Sequence, residues 1–366
     1  MVGCALRTEP PPQKYPFSNP TVYLSHINSL RALAILLIVA GHAVGSFTWK
    51  GSPFTRNAIG DLVADGTVIF VFISGYLFQH LSAKFKYHHY LFVKIKNVGV
   101  PYLIVSMPAI AYAVFWKDSS AQYSVLEGTS RAYQILWFYL HGGAHINYPL
   151  WFIPVIFVYY FAAPQFLLFI LYPRLYWLIL LLFPVSLLAH RPNFPNPEIL
   201  HSLIYFSPAY ICGMFASQFR EKVEPFLEKY FWVLLLLFIM YFLAHLFASD
   251  HHGNYHVEHI FSLEKGYIDW LFLQKLFLSF LLLGMLKRYD ALFAERIRYI
   301  GESSFSIYFL HAYILYAFHV AVRWSHFAGS LTKWILLSAL VVLISIVITK
   351  LTKKIFGKRS RLLIGS

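Results

Sequence analysis

The chain has 366 residues, of which 58% are hydrophobic and 19% aromatic, with only 13% charged. A soluble domain has about 25% charged residues, so the composition excludes an ordinary soluble enzyme and indicates a polytopic helical membrane protein. The formal charge of +14 does not point to nucleic acid, because the basic residues collect at alternate ends of the apolar stretches, as membrane topology requires. Two cysteines, Cys4 and Cys212, exclude a disulfide framework.

Residues 1–29 are polar and rich in proline (Pro10, Pro11, Pro12, Pro16, Pro20) and read as an irregular cytoplasmic tail. Ten candidate spans follow, at about 30–49, 66–82, 98–116, 149–170, 175–189, 199–218, 230–248, 267–286, 304–322 and 333–349. The first has no small-residue cleavage site behind it and reads as a retained helix. The aromatic stretch 131–146 is too short to span and is expected to be interfacial or re-entrant. Ten spans put both termini on one side. That side collects 21 of the 30 Lys and Arg, which places both termini in the cytoplasm. The expected organisation is an all-α bundle over 30–350, with a basic cytoplasmic tail over 351–366.

Chemistry-bearing residues are few against this apolar background. In the first span Arg31 and His42 are eleven residues apart. At 100° per residue that is three turns plus roughly 20°, so both share one helix face, about 16 Å apart along the axis. A cation at the membrane surface in line with a deeper imidazole suits a long molecule that is anionic at one end and reactive at the other. In Gly66–Phe78, Ser74-Gly75 allows close approach of a neighbouring helix, while Ser74 or Tyr76 is a candidate substrate contact. Lys84–Leu103 is a basic loop running into Pro101; Lys94 and Lys96 either mark topology or bind phosphate. Trp151 heads an aromatic segment that fits an interfacial belt. The outer loop Ser249–Phe261 carries His251, His252, His256, Glu258 and His259. Zinc ligation is conceivable there, but the spacing matches no standard site, and no metal is expected. His311, in ESSFSIYFLHAYILY, stands at the depth of His42 and either bonds a neighbouring helix or lines the same cavity.

Arg31 followed by His42, the segment ending ISGYLF, the basic run before Pro101-Tyr102, Leu150–Phe152 and SSFSIYFLH ending at His311 together resemble the acyltransferase-3 family of integral membrane acyltransferases. The similarity runs over about 22–350. The resemblance implies that Arg31 and His42 are required for activity. It implies transfer of an acyl group, usually acetyl from acetyl-CoA, to hydroxyls of cell-surface carbohydrate or a lipid-linked precursor. Many members have an R-x-x-R pair where Lys94 and Asn97 stand, and an acidic residue where Val68 stands. These departures resemble the branch that decorates secreted exopolysaccharides at the bacterial inner membrane. On this reading the catalytic residues are His42, Arg31 and His311, and the substrate-binding residues Lys94, Lys96, Ser74, Tyr76 and Trp151. A secondary transporter of an anionic solute and a non-catalytic partner of a polysaccharide export machine are the alternatives.

Overall fold

The computed structural model describes residues 23–117, 123–142, 144, 149–193, 198–264, 266, 268–322 and 327–365. The first 22 residues of the Pro-rich tail, with Cys4, and positions 143, 145 and 146 of the aromatic stretch lie outside them. Apart from a two-residue parallel pairing and one isolated bridge, the regular structure is helical.

Among the described residues, eight helices are long and apolar enough to cross a membrane. In chain order they are α1 (Ser25–Val44), α2 and α3 (Pro53–Val63, Gly66–Leu81), α4 and α5 (Tyr87–Lys94, Val100–Phe115), α10 (Ile199–Gln218), α12 (Phe231–Ala248), α13 (Trp270–Arg288), α16 (Ser304–Val322) and α17 (Leu331–Phe356). The pairs α2–α3 and α4–α5 each run as one long span, and α17 is prolonged by α18 (Ser360–Ile364). The shorter elements are α6 (Arg131–Leu140), α7 (Phe152–Phe161), α8 (Ala163–Leu171), α9 (Ile179–Ala189), α11 (Arg220–Lys229), α14 (Asp290–Phe293) and α15 (Arg298–Glu302).

The sequence suggests ten spans, and the two that differ have identifiable causes. The expected span at 149–170 is the pair α7–α8, bent by 55° at Ala162, just before Pro164, whose missing N–H interrupts the helical ladder. Counting it as one span gives nine. The expected span at 175–189 is a shorter helix, Pro173–Ala189, whose first turns are 3-10 in form.

The centre of the bundle is α1, packed on α3, α13, α16 and α17. Leu30, Ala34, Ile35, Val39 and Ala43 are fully buried. Helices α3 and α10 cross beside it at their glycines: a methyl on Gly75 would overlap the Tyr210 carbonyl, and one on Gly213 the Phe72 carbonyl. This is the close approach expected of Ser74-Gly75. Helices α12 and α17 lie outside. Trp232, Val233, Leu236, Leu237 and Met240 of α12, and Ile335, Leu336, Leu340, Leu343 and Val347 of α17, are exposed, the faces that lipid covers.

Helix α1 begins and ends five residues earlier than the span read from sequence. Two groups of its polar first turn find partners: Ser25 donates to Asp290 (2.5 Å) and Asn28 to the Arg298 carbonyl (3.0 Å). At the far end Trp49 Nε1 donates to the Val44 carbonyl (3.0 Å), closing the last turn. His42 therefore stands in the final turn of α1, not at mid-span, and Arg31 nearly two turns inside its start.

Candidate active site

Arg31 and His42 both face α16. Arg31 donates to Ser304 Oγ (2.9 Å) and lies over the Phe305 ring (5.7 Å). The His42 ring meets that of His311, with centroids 5.3 Å apart. Ser304 and His311 are seven residues apart, two helical turns, so the two contacts lie on one side of α16. The shared helix face thus becomes a seam between two helices running in the same direction.

His311 is fully buried. Its Nδ1 lies 2.7 Å from the Tyr308 carbonyl and 3.2 Å from that of Ile307. Carbonyls only accept, so Nδ1 carries the proton and Nε2 keeps its lone pair. That Nε2 has no hydrogen-bond partner among the described residues. An unpartnered buried acceptor is costly, a strain that a working group tolerates more readily than a packing one.

His42 opens on the other side into a cleft of about 410 Å³. Three stretches distant in sequence wall it: Arg56, Asp65 and Thr67; Arg191; and His252 and Asn254. Arg191–Pro192 pairs in parallel with His256–Val257, which ties the second stretch to the third. The Asn254 side-chain oxygen accepts the Asp65 N–H (2.9 Å), which ties the first to the third. Asp65 sits at φ 54°, left-handed backbone that costs a non-glycine residue energy, and these bonds hold it there.

Beneath the cleft lies a polar cluster. Arg191 is ion-paired with the buried Asp65, and its guanidinium stacks over Trp151 (5.1 Å). The Tyr205 hydroxyl is 2.8 Å from Asp65 and 2.9 Å from Asp269. Burial, then the Asp65 charge, raises the Asp269 carboxyl. The one Tyr205 hydroxyl proton is shared between the two carboxylates and holds them together. The ion pair and the stacking on Trp151 fix Arg191 in the cleft wall.

Residues 24–350 match the acyltransferase domain of the acyltransferase-3 family. The chain belongs to the acyltransferase-3 family. No curated protein and no solved structure is similar enough to the chain to match. It is a multi-pass membrane protein of an acyltransferase family, so an acyl donor and an acyl acceptor are implied.

The acyltransferase fold separates the sequence-derived candidates into groups. His42 lines the cleft and meets His311, buried behind it, ring to ring, with Trp151 behind Arg191. Lys94 lies at the Arg31 end, over the rings of Tyr90 (5.3 Å) and Tyr160 (4.6 Å). Lys96 is exposed on the π-helical turn Ile95–Gly99. Ser74 and Tyr76 do not line the cleft. Ser74 donates back to the Phe70 carbonyl (2.9 Å), and Tyr76 to Glu224 (2.7 Å). Burial alone would raise the Glu224 carboxyl, but hydrogen bonds from His26 and Tyr76 and the nearby Lys287 hold it down at about 2. Val68, where the resemblance leads one to expect an acid, is buried. The carboxylate at that end of α3 is Asp65, three residues earlier. The cleft also omits Arg31, so Arg31 and His42 share a seam but not an open chamber.

Sequence reasoning missed Asp61, Asp65, Arg191, Tyr205, His245 and Asp269. Asp61 and Asp65 carried a signal: with 16 acidic residues in the chain, two of them leading into an apolar run are conspicuous. Arg191, Tyr205 and Asp269 carried none, since only the tertiary fold joins them.

Proposed function

We propose that the chain is an O-acyltransferase that moves an acetyl group from acetyl-CoA to a sugar hydroxyl of a cell-surface or secreted polysaccharide, or of its lipid-linked repeat unit. The observation carrying this reading is the His42–His311 pair at the inner end of a polar cleft in an acyltransferase-3 chain. The basic excess at the Arg31 end supports placing that end at the cytoplasm of a bacterial inner membrane.

Arg31 and Lys94 bind the phosphates of the coenzyme by charge-assisted contacts. The pantetheine arm follows the α1–α16 seam towards His42, which lies about 16 Å along the helix. The acceptor enters the cleft from the opposite end, so the two substrates meet at the imidazole pair. His311, held by the Tyr308 and Ile307 carbonyls, packs against the His42 ring and orients it. His42 takes the proton of the sugar hydroxyl, the hydroxyl oxygen bonds to the thioester carbon, and the carbon–sulfur bond breaks. The departing thiolate takes the proton back from His42 and leaves as the free thiol. Arg191, beside the cleft, offers positive charge to the carbonyl oxygen as it becomes an oxyanion.

Membranes containing the protein, supplied with acetyl-labelled acetyl-CoA and surface glycan, test this reading. Label is expected in alkali-labile O-acetyl on the glycan, and His42→Ala is expected to abolish it with the protein still folded. Unchanged O-acetylation by His42→Ala would refute the role given to that ring; uptake of intact solute without acetylation would refute the transferase.

A further inference from the structure

A second cluster lies one turn before Asp65 and takes no part in the transfer described above. Asp61, fully buried, meets two imidazoles at one oxygen: His245 Nδ1 stands 3.1 Å from Oδ2, and His252 Nδ1 2.8 Å from it. The His245 side chain is 4% exposed and that of His252 18%. One donor atom from each residue lies within 4.8 Å of the other two. The three come from α2, the last turn of α12 and the outer loop beyond it, so the convergence is tertiary. We propose that Asp61, His245 and His252 form a binding site for a divalent transition ion of the zinc type.

Two nitrogens and one carboxylate oxygen are ligands such an ion takes, with bonds of about 2.0–2.2 Å. Tetrahedral bonds of that length put ligand atoms about 3.4 Å apart; the two Asp61–imidazole distances are within roughly 0.6 Å of that, and the two imidazole nitrogens, within 4.8 Å of each other, close by up to about 1.4 Å to hold the ion. The surrounding bonds suit the ligands. Gly253 N–H donates to the other Asp61 oxygen (2.8 Å). His245 Nε2 faces the Tyr255 hydroxyl at 3.2 Å. With Nδ1 on the metal, the His245 proton moves to Nε2 and bonds to Tyr255, whose own proton goes to Ser249 Oγ (3.1 Å). Lys275 is the nearby cation, but its three donors go to the Asp61 and Leu62 carbonyls and to Gln274 (2.7–2.8 Å), which leaves the Asp61 carboxylate to the imidazoles. Three protein ligands leave one coordination position open. Because His252 also borders the His42 cleft, the ion would pin the 249–254 loop to the cleft wall. The inference does not depend on acetyl-CoA being the donor.

The test uses the full chain purified in detergent, stripped with chelator and titrated with Zn²⁺ against a chromophoric indicator, with bound metal counted by mass spectrometry. About one zinc per chain is expected. Asp61→Asn and His245→Ala are each expected to weaken binding by on the order of 100-fold, and His259→Ala, at an exposed loop histidine, to leave it unchanged. Co²⁺ loaded in place of zinc reports the ligand set through its visible d–d bands, which should be lost in His252→Ala. A wild-type protein that takes up no zinc overturns the proposal. So does zinc that binds equally well to Asp61→Asn and His245→Ala, since that would place it on other histidines.

Discussion

The two ends of α1 solve the same problem differently. At the Arg31 end charge is met piecemeal, by one serine, aromatic faces and the Glu224 carboxylate with its three partners. At the His42 end carboxylates, an arginine, tyrosines and histidines from distant segments join into a network around a cleft. Separate contacts can exchange for a ligand's phosphates without disturbing the fold. A connected buried network is stiff, and losing one member strands the others. The first arrangement suits docking of a mobile, charged donor; the second suits a site whose geometry must hold during a reaction.

That contrast can be broken at several points, in decreasing order of effect. His42→Ala should lower acetyl transfer by up to about 10⁴-fold, the upper end for a general base, with an unchanged melting temperature. Asp65→Ala strands the buried Arg191 and should cost about 3–5 kcal/mol of stability, read as a lowered thermal midpoint in detergent. Arg191→Met in the same background should recover much of that loss. Arg31→Ala should raise KM for the acyl donor on the order of 10-fold with a smaller effect on kcat, because it removes one charge-assisted contact. An effect on kcat alone would assign Arg31 to the chemical step instead. The smallest effect is at Glu224. Its carboxyl is held at about 2, below the usual value near 4.3, so its stabilisation is complete above about pH 4.5 and is lost as pH falls towards 2. Melting curves between pH 5 and 3 should show that loss, and Glu224→Gln should flatten it.

The contrast also explains what the sequence discloses. Helical periodicity aligns Arg31 with His42, and the matched depth of His311 anticipates the imidazole pair, because both follow from positions within single helices. For Ser74 and Tyr76 the sequence leaves packing and substrate contact open, since a hydroxyl in an apolar run does not reveal whether it bonds its own turn or a neighbouring helix. The Arg191–Asp65–Tyr205–Asp269 cluster was invisible, because its members are up to about 200 residues apart and carry no local pattern. The end of α1 was misread for a similar reason: Trp49 closes that helix through a contact hydropathy does not register.

The span Pro53–Lys84, α2 and α3 joined through Asp65, has 32 residues. At 1.5 Å each it measures about 48 Å, against about 30 Å of hydrocarbon. Roughly a third of that length exceeds the lipid tails, and its first third, residues 53–63, carries Asp61 and with Arg56, Asn57, Gly60 and Val63 lines the cleft. The wall of the reaction chamber therefore rises like a collar above the bilayer, where water reaches it. A hydrophilic polymer could present its hydroxyl at that rim without ever entering oil, leaving the coenzyme alone to make the passage through the membrane.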